Sequence, residues 1–247
     1  MSEKSFSNHL IGFAPGDARC AVLTGNPDRV PVLADMLGAT TARGSRRGFA
    51  WSVVDADPPV IVCSTGVGAP AAAIAVEELA DLGIESIVRI GSCGALSEDV
   101  AIGSLVVSTG CVRHEGTTSH YVDLAYPAVP GYRLLVELVN RAADCPVPVH
   151  FGLTHCKDAY YSEHPDRGVV DRERVRSHWA ALRASGVLAT EMEAAALLVI
   201  GQLRGIQCAT ILVPASDSAR PDTLHETFGA AVDLARGALP AGMSDAA

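Results

Sequence analysis

Four short segments of this sequence gather residue types that handle anions, hydroxyl groups and protons. Gly25-Asn26-Pro27-Asp28-Arg29 follows the apolar run Cys20 to Thr24 and precedes the apolar-periodic stretch Val30 to Leu37. It therefore reads as a strand-to-helix turn. A glycine there lets a backbone N–H approach an anion, a helix start attracts negative charge, and Arg29 can grip two oxygens at once. Taken alone, the segment reads as an ordinary strand-to-helix turn with a surface arginine. In Arg89-Ile90-Gly91-Ser92-Cys93-Gly94 an arginine sits inside a run that otherwise reads as buried. An unpaired buried charge is costly, so Arg89 needs a partner. A bound phosphate would serve, with Ser92 adding donors, and so would a structural carboxylate. The Gly-x4-Gly-Lys-Ser/Thr pattern of a phosphate-binding P-loop is absent.

Glu191-Met192-Glu193 puts two carboxylates at what reads as a helix start, where they suit the dipole or, turned into a cavity, would accept hydrogen bonds from sugar hydroxyls. Ser216-Asp217-Ser218-Ala219-Arg220 follows the apolar run Cys208 to Val213. Asp217 there is either a turn or capping residue or a general acid, with Arg220 tuning it. The histidines are scattered without His-x3-His or His-Glu-x2-His spacing, so the chain pattern implies no metal site.

These segments need a scaffold. Short apolar runs, at Cys20 to Thr24, Val60 to Ser64, Ile87 to Ile90, Ser104 to Ser108, His150 to Thr154 and Cys208 to Val213, read as strands. Helices are expected at Val30 to Leu37, Ala71 to Leu82, Leu134 to Ala143, Glu191 to Leu203 and Thr223 to Leu239. Apolar strands alternating with helices imply an α/β sheet covered on both faces, with ligands at the carboxyl ends of strands. Residues 162–180 are polar and charged, and read as a surface segment, either a solvated loop or a lid. No repeat or linker divides the chain, so 1–247 reads as a single domain.

The formal net charge of −9 argues against a nucleic-acid binder, without excluding a local basic pocket. Seven cysteines at wide spacing, with no Cys-x2-Cys pair, read as reduced thiols. With no apolar signal core at the N-terminus and no bilayer-length apolar stretch, the expectation is a cytoplasmic protein without membrane partners.

Together GNPDRV, VIVCSTGVGAPAAAIAVEELADLGI, VRIGSCGAL and EMEAAALL, in this order and spacing, resemble the nucleoside phosphorylase family that holds uridine phosphorylase and the hexameric purine nucleoside phosphorylases. The resemblance implies a central mixed, partly barrel-like β-sheet flanked by helices. It implies phosphorolysis of an N-glycosidic bond, giving free base and (deoxy)ribose 1-phosphate, with inorganic phosphate as co-substrate and no cofactor. Residues matching Gly25, Arg29, Arg89 and Ser92 bind phosphate in that family, completed by a neighbouring subunit's arginine, for which Arg47 beside Arg46 is the counterpart. His9 resembles the neighbour's histidine at the ribose 5′-hydroxyl. Glu191, Met192 and Glu193 match the ribose site. A homo-oligomer follows, at least a dimer and in the family commonly a hexamer.

The base is read from the site rather than the scaffold. The Gln-x-Arg pair of uridine phosphorylases is missing; Tyr160-Tyr161-Ser162-Glu163-His164-Pro165-Asp166 stands there instead. Ser216-Asp217-Ser218-Ala219-Arg220 resembles the purine enzymes, in which the aspartate protonates N7. Cys93 and Gly94 look purine-like, Tyr160 takes the place of an aromatic that stacks on the base, and Glu163, next to His164, could accept a base N–H. The long STGVGAP stretch and KDAYYSEHPD lean toward the uridine side. The expectation is a preference for purine nucleosides, with uridine phosphorylase as the alternative. A nucleosidase using water and a non-catalytic nucleoside-binding protein are the further alternatives. The full arginine set argues for phosphate over water.

Overall fold

The computed structural model describes residues 18–164, 171–216 and 219–239. Among the described residues nine strands join in one sheet: β1 Cys20–Thr24, β2 Ala39–Arg46, β3 Phe49–Asp55, β4 Val60–Ser64, β5 Ser86–Ala95, β6 Leu105–His114, β7 Val149–Lys157, β8 Val187–Glu191 and β9 Gln207–Pro214. The helices are α1 Arg29–Leu37, α2 Ala69–Asp81, α3 Tyr132–Ala142, α4 Arg172–Ala184, α5 Ala194–Arg204 and α6 Pro221–Ala238.

The strand order is β2-β3-β4-β1-β5-β8-β7-β6-β9, and β9 pairs back onto β5. The five strands β5, β8, β7, β6 and β9 therefore close on themselves, while β4, β1 and β5 continue outward as a parallel sheet. This is the mixed, partly barrel-like sheet expected. β5 belongs to both parts. Its first residues pair with β1, and Gly94 and Ala95 at its far end pair with β8.

Burial explains why the apolar runs become strands. Every residue of β1 and β4 is buried, as befits parallel strands covered on both faces. One apolar cluster packs α2 and α5 against one face, and a second packs α1, α3 and α6 against the other. No helix among the described residues is long and apolar enough to cross a membrane. All seven cysteines are free.

Several expected bounds move. β5 runs through Gly91-Ser92-Cys93-Gly94, so that segment is strand and not a turn. β6 extends to His114 and β7 to Lys157, each beyond its apolar run. The stretch expected as one helix from Glu191 divides: Glu191 ends β8, and α5 starts at Ala194. The physical reason is the Glu191 carboxylate, which accepts the N–H groups of Glu193 and Ala194, both at 2.8 Å, and so caps the helix from outside. Within the polar stretch 162–180, residues from Arg172 onward form helix, not loop or lid. Its N-cap Asp171 accepts from the Arg174 N–H at 3.0 Å, and Val175, Trp179 and Leu182 form its packed stripe.

Candidate active site

The parallel order β4-β1-β5 brings three strand ends side by side, and the first two candidate segments meet there. Gly25 ends the β1 turn against the β4 turn: a side-chain carbon added at Gly25 would stand 3.2 Å from the Gly66 carbonyl oxygen and 3.9 Å from Arg89 Nη2. A side chain there would crowd the Gly66 carbonyl, and glycine leaves the approach open. Arg29, half-buried as the first residue of α1, lies over the Phe228 ring at 4.5 Å. Burial and then the nearby Arg89 charge lower its pKa, so two guanidinium groups share one region. Such a pair of like charges favours an anion between or beside them.

Arg89 is 3% exposed and turns to the third segment. Its Nη2 pairs with Glu193 Oε2, and its Nη1 lies 3.6 Å from Glu191 Oε2. Burial alone would pull the guanidinium pKa down, but Glu193 and Glu191 outweigh it and hold it above its ordinary value. Glu191 shifts upward, because burial acts on it more strongly than the Arg89 charge. Glu193 Oε1 accepts the Gly68 N–H at 2.6 Å, joining the start of α5 to the start of α2. The carboxylate partner that the sequence left as an alternative to phosphate is thus present. It does not exhaust the donors, since Arg89 Nε and Nη1 and Glu191 Oε1 are buried with no hydrogen-bond partner among the described residues. Ser92 and Met192 are half-buried beside this cluster in the chain.

Two glycines in this cluster escaped the sequence reading. A Cβ at Gly91 would fall 2.0 Å from Arg89 Nη1, so the guanidinium folds back over a residue that must lack a side chain. Gly68 takes φ +97°, which presents its N–H to Glu193. The signal for Gly91 was its place two residues after an arginine in a strand, where side chains share a face.

The residues expected at the base lie toward the barrel end of β5. The Cys93 side chain faces inward with Val100, Val106, Ala189 and Leu212, and burial raises its thiol pKa to about 12. Gly94 is exposed and abuts Thr190, whose Cγ2 would lie 3.4 Å from a Cβ there. Tyr160 is 58% exposed and meets the Tyr161 ring edge-on at 5.2 Å. Glu163 Oε1 accepts the Ala159 N–H at 3.4 Å, and the His164 ring lies 6.5 Å from Trp179.

Ala215, following β9, donates its N–H to the Cys93 carbonyl at 3.0 Å. The chain that carries the fourth segment therefore leaves β9 beside the end of β5. Asp217 and His9 lie outside the described residues. Arg220 is largely exposed, with Asp222 Oδ2 at 3.9 Å, an ion pair within its own helix start. Arg47 stands at the tip of the β2–β3 hairpin with φ +52°, followed by Gly48 at +87°, the two-residue turn that matches strand twist. Ser64 Oγ at the end of β4 holds this tip, donating to Gly48 O at 3.1 Å and accepting the Ala50 N–H at 2.8 Å.

The family model described as "Phosphorylase superfamily" matches residues 19–241. Among similar proteins, a uridine phosphorylase of Treponema pallidum is 33% identical over 212 residues, 85% of this chain and 82% of that protein. A guanosine phosphorylase of Halorubrum lacusprofundi is 38% identical over 194 residues, 77% and 75% of the two chains. The crystal structure of a uridine phosphorylase from Vibrio fischeri superposes with a TM-score of 0.82 at 27% identity, covering 96% of this chain and 99% of that one.

Proposed function

The chain belongs to the phosphorylase superfamily and is a nucleoside phosphorylase, and from that premise we propose that purine nucleosides are its preferred substrates. The observation that carries this reading is the sequence Ser216-Asp217-Ser218-Ala219-Arg220 directly after β9, together with the absence of a Gln-x-Arg pair after β7. Ala215 anchors the start of that segment to Cys93, next to Gly94. An acid reached from there serves a purine, whose N7 must take up charge as the bond to C1′ breaks. The guanosine phosphorylase relative is consistent with it.

The proposed mechanism follows from charge. Phosphate held by Gly25, Arg29, Arg89 and Ser92 sits beneath C1′ and captures the oxocarbenium-like sugar as the base leaves. Glu193 and Met192 hold the ribose, Glu193 being kept in place by Arg89 and the Gly68 N–H. Glu191 fixes the backbone that presents them. Asp217 gives a proton to the leaving purine. Gly94, Tyr160, Glu163 and His164 surround the base. No covalent intermediate and no cofactor beyond the phosphate co-substrate are required. Arg47 and His9 act on a neighbouring subunit's site, which makes the active unit at least a dimer and, in the larger assembly we infer, a hexamer.

Uridine is the second reading, favoured by the uridine phosphorylases among the relatives and by the superposition on one of them. One assay separates the two. The purified protein is incubated with inosine, guanosine, adenosine, uridine and thymidine, with and without phosphate, and free base and sugar 1-phosphate are measured. Phosphate-dependent release from the purines supports the proposal, and release from uridine or thymidine alone overturns it. Asp217→Asn should lower purine turnover by roughly 10²–10⁴-fold, the range of general acid catalysis, and spare any pyrimidine turnover. Equal losses on both would remove Asp217 from the N7 role.

A further inference from the structure

On the opposite side of β8 from Glu191, three histidines from three separate elements meet. His114 ends β6, His155 lies in β7 next to Thr190 of β8, and His178 lies on the face of α4 that packs against the sheet between Val175 and Leu182. Their ring centres are 5.0 Å (114–155), 4.8 Å (114–178) and 5.6 Å (155–178) apart. One nitrogen from each falls within 4.8 Å of the other two. Nitrogens bound at about 2.0–2.1 Å to one tetrahedral ion put three imidazole centres roughly 5 Å from each other. The triangle therefore has the size of a three-histidine metal site before any ion is added.

We propose that His114, His155 and His178 bind one divalent transition-metal ion of the zinc class, tying α4 across β6 and β7. The chain spacing concealed this site, because its ligands lie 41 and 23 residues apart, 114 to 155 and 155 to 178. Imidazole sets suit zinc, cobalt, nickel and copper over magnesium or calcium. His155 is fully buried, and burial followed by its charged neighbours lowers its pKa to about 3, so it stays a neutral ligand. Its Nδ1 is 3.0 Å from Thr190 Oγ1, the outer hydrogen bond that fixes a ligating imidazole and leaves Nε2 facing His114. The 2.9 Å separation of His155 Nε2 and His114 Nδ1 is hydrogen-bond length. It needs to open by only about 0.4 Å to span two ligand nitrogens of a tetrahedral ion. His114 is exposed and gives the ion a route in. Lys157 lies beyond Thr190, with its amine 3.3 Å from Thr190 Oγ1 and over the Trp179 ring, its pKa lowered by burial. The proposal is independent of which base the enzyme cleaves.

The test uses the full chain without a histidine tag, stripped with a chelator and titrated with Zn²⁺ by calorimetry and with Co²⁺ by visible absorption. One equivalent per chain is expected, with a raised Tm that EDTA reverses. His178→Ala and His114→Ala should each weaken Zn²⁺ binding by more than the roughly 10–100-fold that losing a supporting hydrogen-bond partner costs, and Thr190→Val should fall in that range. Because His114 is exposed and His178 half-buried, these variants keep the core, which circular dichroism checks. Absence of stoichiometric uptake, unchanged affinity in both histidine variants, or thiolate charge-transfer bands with Co²⁺ would overturn the proposal.

Discussion

Thr190 and Glu191 are consecutive in β8, yet they serve two regions built on different principles. Glu191 belongs to a buried cluster with Glu193 around Arg89, where the two carboxylates hold the guanidinium charged even though burial shifts Glu191 itself upward. Thr190 belongs to a cluster with His155 and Lys157, where burial moves groups toward their neutral forms. Alternation along a strand sends neighbours to opposite faces, so one short strand supports both. The charged face is suited to hold an anion and a sugar, and the imidazole face to hold a cation. Paired ions tolerate burial while the pair is intact, whereas neutral bases tolerate it until pH falls.

The comparison breaks most visibly at Arg89. Arg89→Ala leaves Glu191 and Glu193 buried without their counter-charge, which costs about 3–5 kcal/mol, and phosphorolysis should be lost with it. Urea denaturation at pH 7 and phosphate saturation kinetics read the two effects separately. A loss below 1 kcal/mol would mean that the charges are solvated. Gly91→Ala tests the same face without removing a charge. Its Cβ displaces the guanidinium and should cost about 1–3 kcal/mol, as overpacking does, with weakened phosphate affinity.

The imidazole face should show itself in acid. His155 has a folded pKa of about 3, below its unfolded value near 6.5, so the unfolded chain binds the extra proton between those limits. Stability is present above pH 6.5 and falls as pH drops toward 3, by at most about 1.4 kcal/mol per pH unit for this one proton. Urea midpoints at pH 7 and pH 5, with metal removed, should fall less in His155→Gln than in the natural chain; parallel losses would place the acid sensitivity elsewhere. Asp171→Ala is the mildest change. It removes the cap of α4, which covers the imidazole face, and should lower stability by about 1 kcal/mol in the same denaturation experiment while phosphate binding stays put.

The two regions were also unequally readable in the sequence. The charged face comes from contiguous segments at strand ends, so Arg89, Glu191 and Glu193 could be singled out from their neighbours in the chain. β1, β4 and most of β9 were legible for the same reason, being unbroken apolar runs. The imidazole face comes from three elements whose joining depends on strand order, which periodicity does not encode. Its cover, α4, was hidden because its polar face dominates and only Val175, Trp179 and Leu182 turn fully inward. β2 escaped notice because none of its residues is buried. The division between β8 and α5 was missed because EMEAAALL reads as helix throughout, and only the tertiary position of the Glu191 carboxylate shows where the helix begins.

From Ser86 to Arg89, β5 pairs with β1 of the open sheet on one edge and with β9 of the barrel on the other, and its last residues, Gly94 and Ala95, pair with β8. A strand held in both cannot serve as a hinge, because rotating one part against the other would break its ladders on both sides. The half proposed to hold phosphate and the half proposed to surround the base are thus kept at a fixed spacing by a single piece of backbone. Any adjustment around a substrate would then fall to what extends beyond the strand ends, such as the Tyr160 turn. Differences in the base that is accepted can arise in those extensions while the distance from phosphate to sugar stays constant.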